Sequence, residues 1–140
     1  MDRRIIVGLV VLFVVVILGA ILVAAPGPND QKMFSSRNVK VLRPSIGGVV
    51  VKNFTAVGEA RGTWYFEASF PVEVRDPSNK IIGHGVAQAE GNWMTEDFVP
   101  FSAPIKIEGY TGPATLVFLK DNPSGLPEKD DAVLFPIVVE

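Results

Sequence analysis

His84 is the only histidine in the chain, so acid–base or nucleophilic chemistry at neutral pH would have to start there. It stands between Gly83 and Gly85 with no aspartate close in sequence, and no serine sits in a nucleophile-elbow pattern. A histidine of ordinary strand character is the expectation. Asp121, Glu128, Asp130 and Asp131 could ring a calcium ion, but their spacing matches no calcium loop, and a solvated acidic turn is expected instead. Gly58-Glu59-Ala60-Arg61-Gly62 lacks the third glycine, the Lys-Ser/Thr pair and the following helix of nucleotide-binding loops. Glu67 and Glu73 are expected on the outer face of one strand, a poor arrangement for the paired carboxylates of glycan hydrolysis. The chain has no cysteine, which removes disulfides, thiolate metal sites and a lipidated cysteine. No catalytic residue, no metal site and no cofactor is expected, and the chain reads as non-enzymatic.

Recognition is better served than catalysis. Asn92-Trp93-Met94-Thr95-Glu96-Asp97 sets a tryptophan and a methionine among polar neighbours, a composition that often anchors interfaces. Asp121-Asn122-Pro123-Ser124-Gly125-Leu126-Pro127 is a double turn with one apolar residue near its tip. Trp93, Met94 and Leu126 are therefore the candidate partner-binding residues. The competing role for Trp93 and Leu126 is structural, as plugs folded back over the end of the domain.

These loops must be carried by strands. From Trp64 to Arg75, apolar and polar residues alternate, with Trp64, Phe66, Ala68, Phe70, Val72 and Val74 on one side. Such a period predicts one long strand with a single buried face. Around it, strands are expected at Val39–Arg43, Val49–Lys52, Phe54–Ala60, Lys80–Ala89 (in a hairpin with the long strand), Phe98–Phe101, Ile105–Glu108, Ala114–Lys120 and Ala132–Val139. Gly58 marks a bulge or close backbone approach, Asp76-Pro77-Ser78-Asn79 a turn, and Gly83 with Gly85 a second bulge. With no crossover helix, antiparallel pairing and an all-β sandwich follow.

Ahead of these strands, the 21 residues Ile5–Ala25 carry no charge. As a helix they would cover about 31 Å, one hydrocarbon core. Arg3 and Arg4 precede the run and Lys32 is the next basic residue, so the positive-inside rule places the N-terminus in the cytoplasm. The organisation expected is a membrane anchor over 1–25, a Pro/Gly-containing linker over 26–38 and a domain over 39–140. Val23-Ala24-Ala25 resembles a signal-peptide cleavage site, yet the apolar run is longer than the usual ~7–15 residues of a signal peptide. Without Asp2, Arg3 and Arg4 the chain holds eleven basic and fourteen acidic residues, which argues against a nucleic-acid partner.

Three segments carry a family resemblance. Gly58-Glu59-Ala60-Arg61-Gly62-Thr63-Trp64-Tyr65-Phe66-Glu67-Ala68-Ser69-Phe70-Pro71, Asn92–Phe101 and Lys120–Asp131 resemble, in order, the signature of the immunoglobulin-like domain of bacterial spore germination proteins (Gmad-type). The resemblance implies an extracytoplasmic Ig-like antiparallel β-sandwich, here behind a single N-terminal transmembrane helix, acting as an interaction module without catalytic residues. The expected function is a membrane-tethered module on the outer face of a bacterial cytoplasmic membrane, binding an envelope protein or a cell-wall polymer. The alternative is a protease inhibitor using Asn122–Gly125, which is similar to an inserting loop of some Ig-like inhibitors.

Overall fold

The computed structural model describes residues 31–140. The expected anchor over 1–25 and the first part of the linker lie outside the described residues. Nine strands form: β1 (Phe34–Ser35), β2 (Val39–Arg43), β3 (Val49–Val50), β4 (Asn53–Arg61), β5 (Ser69–Arg75), β6 (Ile81–Ala89), β7 (Phe98–Ile107), β8 (Gly112–Leu119) and β9 (Ala132–Val139). Two single 3-10 turns, Gly62–Trp64 and Pro127–Lys129, are the only helical segments among the described residues. The strands hydrogen-bond in the order β1-β2-β4-β7-β6-β5-β8-β9-β3.

This ribbon folds over on itself into an Ig-like sandwich. β7 and β8 are separated by two strands in the sheet, yet Phe101 and Phe118 meet with ring centroids 5.7 Å apart. Phe70 joins them at 5.2 Å from Phe101, and Phe118 passes the contact on to Phe135 at 6.2 Å. Phe135 stacks on Phe34 of β1 at 5.0 Å, so the two margins of the sheet approach each other. The loop after β2 ties them together: Ile46 N donates to Lys32 O (2.9 Å) and Gly47 N to Pro136 O (2.7 Å). Alternation along the strands fills the interior, with Val39 and Val41, Phe70, Val72 and Val74, and Phe135, Ile137 and Val139 all buried. A buried side chain of this size contributes about 1.5–3 kcal/mol, which is how a domain without disulfides holds together.

β2, β6 and β9 fall where their patterns predict, and β5 and β6 form the expected hairpin. Four expectations need correction. The stretch Trp64–Arg75 is not one strand. Phe66 and Ser69 bond each other reciprocally (2.9 and 3.1 Å) around Glu67 and Ala68, whose φ values are +49° and +64°. That is a tight two-residue hairpin turn with both central residues left-handed. It breaks the parity, leaving Phe66 42% exposed and burying Tyr65 beside Trp64. Both aromatic rings then pack against Phe70, at 5.9 Å for Trp64 and 5.0 Å for Tyr65. Left-handed φ costs roughly 1–2 kcal/mol per residue. Tyr65 takes the buried place that alternation assigns to Phe66, and its hydroxyl finds the Val99 carbonyl there at 2.7 Å.

The two strands expected at Phe98–Phe101 and Ile105–Glu108 are one, β7, which continues through Pro100 and Pro104. Pro100 O accepts from Glu90 N (2.8 Å), so this side of β7 faces β6. Pro104 has the same orientation, and there the β6–β7 pairing skips from Gly85–Ile105 to Gln88–Ser102. The prolines lack donors only where the neighbouring ladder does without them. Pairing is also not wholly antiparallel, because β3 runs parallel to β9. Finally, Phe34–Ser35, inside the stretch read as linker, pairs with β2 as a short edge strand.

Candidate functional site

Strand direction gives the domain two ends. β2, β5, β7 and β9 run from one end to the other, and β4, β6 and β8 return. Residues 51–52, 76–80 and 108–111 lie at one end, here termed proximal, whereas β2 stops short of it, with Arg43 paired to Val57 in the middle of β4. Residues 36–38, 62–68, 90–97 and 120–131 lie at the distal end.

The three segments that carry the resemblance converge on the distal end. Gly62 lies so close to the 90–97 loop that an added Cβ would stand 1.9 Å from Thr95 O and 2.3 Å from Trp93 O. Gly62 N donates to Asp97 O at 3.0 Å. One residue earlier, Arg61 N donates to Asn38 O (2.9 Å), and the Arg61 guanidinium lies 4.0 Å over the Phe98 ring. Asp121 N donates to Trp64 O (3.0 Å), which fastens the third segment to the first. Asn38 Nδ2 donates to Asp131 Oδ2 at 3.3 Å. Gly58 serves a second close approach, since a Cβ there would stand 2.2 Å from Lys40 O on β2. The β2–β4 register shifts beside it, between Val41 and Arg43.

Each loop also fixes its own shape. Asn92 Oδ1 accepts from Met94 N (3.0 Å), and Thr95 Oγ1 accepts from Asp97 N (3.2 Å). Asn122 holds the other loop, donating through Nδ2 to Leu126 O (2.8 Å) and Asp130 Oδ1 (2.7 Å). Ser124 Oγ donates to Asn122 Oδ1 at 2.5 Å. Beneath the loops, Tyr65 OH donates to Val99 O at 2.7 Å. Burial pushes the Tyr65 phenol well above the usual tyrosine range, because the phenolate would lose its water.

The sequence-derived candidates all lie at this end, on two separate loops. Met94 is 74% exposed and Leu126 45%, whereas Trp93 is half-buried and packs against the core. Trp93 thus does part of the work of a plug, and the free apolar surface belongs to Met94 and Leu126. Phe66 joins them at the tip of the hairpin turn. Alternation assigns Phe66 to the core, and no Gly or Asn marks the turn, so no local signal could have found it. The distal loops hold eight carboxylates and three cations (Arg37, Lys120 and Lys129). Asp130 and Asp131 are engaged by Asn122 and Asn38, and no group of three or more His, Asp or Glu among the described residues is placed to hold a metal ion. His84 is exposed on β6 at the far side of the sheet, opposite Glu73 and Lys106.

A family model described as the immunoglobulin-like domain of bacterial spore germination matches residues 38–125. The chain belongs to that family. Comparison with curated proteins and with solved structures gives no match. The match opens one residue before β2 and closes inside the 120–131 loop, so it takes in nearly all of the converging segments. β9 lies beyond it, yet pairs with β8 from Ala132 to Val139 and completes the core of this Ig-like domain.

Proposed function

We propose that this Ig-like chain is a non-enzymatic module, tethered to the outer face of a bacterial cytoplasmic membrane by residues 5–25. Its distal end would bind another envelope component, a protein or a wall polymer. The observation that carries this reading is the convergence of the three family segments on one end of the domain. Phe66, Met94 and Leu126 are exposed there on loops of fixed shape. Pre-organised loops bind with less loss of conformational entropy. The excess of carboxylates works in the same direction, since an anionic bilayer repels this end.

A photoreactive residue at Met94 in intact cells tests the reading, with Val86 on the sheet face as control. Discrete adducts from position 94 and none from 86 are expected. Intramolecular products alone from position 94 would refute it. A second reading, inhibition of a papain-like protease by Asn122–Gly125, draws support from the internal bonding of that loop. Titration of the chain into such a protease tests it, and undiminished turnover at saturating chain would end it.

A further inference from the structure

The two outer faces of the sandwich differ in charge. On the face of β2, β4 and β7, Lys40, Glu59, Arg61 and Lys106 alternate with buried residues and so point outward. On the other face, β3, β8 and β9 contain no charged residue at all. Register sets Val117 beside Leu134, Thr115 beside Pro136, Pro113 beside Val138, and Val138 beside Val49. These side chains point away from the interior, because they alternate with the buried Leu116, Phe118, Phe135 and Ile137. Val49 is 61% exposed and Leu134 57%. Val117 is buried, yet it is not part of the main core, so its neighbours on this outer face already shut it from water. On β5, next to Val117, Glu73 is bound to Arg75 at 2.6 Å, and the nearest charges compensate each other. Val86 lies beyond that pair, on β6, outside the strip.

A sheet face open to water ordinarily carries polar side chains. Here the outward positions of β8 and β9 are Pro, Thr, Val, Leu and Ala, a composition that gains from being covered. Adding a strand at the β9 margin would cover little of it, and is hindered there: Pro136 has no N–H, and Val138 N already donates to Gly48 O at 2.9 Å. The occupant must therefore lie on the face. Charge selects a second copy. With 15 acidic and 13 basic residues, two chains meet with least repulsion where neither presents an uncompensated charge. We infer that two copies of the chain pack β8, β9 and β3 face to face, with Val117 and Leu134 at the centre of a two-fold interface. The area sets the strength. With β5 as rim, four strands and the eight residues of β9 give a footprint of roughly 19 by 27 Å. Two copies hide about 1,000 Å², the lower bound of specific interfaces, so a micromolar dimer follows. The strip runs along the side of the domain and leaves the distal loops free, so the inference stands apart from the binding proposed for them.

The full chain carries no cysteine, so a single introduced thiol reports from one defined place. Leu134→Cys probes the strip, and Leu42→Cys, equally exposed on the opposite face, is the control. In the full chain purified in mild detergent, a short bismaleimide should link Leu134→Cys into a covalent dimer about tenfold faster than Leu42→Cys. Sedimentation equilibrium supplies the second readout. Leu134→Asp should weaken self-association about tenfold or more, because it takes two leucines from the centre and sets two like charges together. Val49→Asp, at the margin of the strip, should weaken it about threefold and carries the test if Leu134→Asp fails to fold. Equal linking at 134 and 42, as association through residues 5–25 alone would give, overturns the inference. So does a dimer that neither aspartate weakens, or a wild-type chain that stays monomeric far above micromolar concentration. In intact cells, an adduct of Leu134→Cys with a different protein in place of the self-dimer would overturn it as well, by showing another occupant on this face.

Discussion

Gly62→Ala probes whether the convergence of the distal segments is a fixed structure. The backbone of Gly62 does not require glycine, since its φ is not in the left-handed region, so alanine brings no conformational penalty of that kind. The damage comes from space. The new methyl would stand 1.9 Å from one backbone carbonyl oxygen and 2.3 Å from another, and neither can swing away as a flexible side chain could. Moving the 90–97 loop aside costs about 1–3 kcal/mol as overpacking. Loss of the Gly62 N to Asp97 O bond adds roughly 0.5–1.5 kcal/mol, for a total of about 2–4 kcal/mol. With a urea m-value of about 1.5 kcal/mol/M, the unfolding midpoint should fall by roughly 1–3 M. Both tryptophans, Trp64 and Trp93, lie at this end, so intrinsic fluorescence of the purified chain in mild detergent reports the transition directly. Gly109→Ala is the control: its φ is +65° with nothing within 4 Å, so it isolates a conformational penalty of about 1 kcal/mol. A midpoint for Gly62→Ala at or above that of Gly109→Ala would refute the claim that the loop backbone is locked against the end of β4.

Three further outcomes follow from the same region. Tyr65→Phe leaves the buried Val99 carbonyl without its donor and should cost about 1–3 kcal/mol in urea unfolding. Because the folded phenol resists ionisation and the unfolded one titrates near the ordinary value of about 10, the wild type should lose stability as pH rises above that value, and Tyr65→Phe should flatten the loss. The pair Glu67→Asn with Ala68→Gly, suited to two left-handed residues, should raise stability by about 1–2 kcal/mol, and a lowered thermal midpoint would count against the turn. Trp93→Ala should cost about 1.5–2.5 kcal/mol, roughly half the value for a fully buried tryptophan, while Met94→Ala stays within about 0.5 kcal/mol. Equal effects at the two positions would remove the distinction between plug and free surface.

The sequence by itself determined the fold class, most of the strands and the family. β2, β6 and β9 carry β-branched or apolar residues bounded by Pro, Gly and Asp-rich turns, and those signals are local enough to read along one chain. The glycine at 58 was likewise legible as a close approach. It also determined that Trp93, Met94 and Leu126 stand out from their polar surroundings. Tertiary structure decided which of them is free, because burial of Trp93 depends on a core assembled from distant strands. It decided that alternation through Trp64–Phe70 fails, because the turn at Glu67 and Ala68 brings Trp64 and Tyr65 together around Phe70 and leaves Phe66 outside. It also decided that one strand passes through two prolines, where the opposing ladder needs no donor from them. That the three family segments meet at one end follows from the direction of each strand in the sheet. Strand direction is a property of the whole topology, and no stretch of sequence carries it alone.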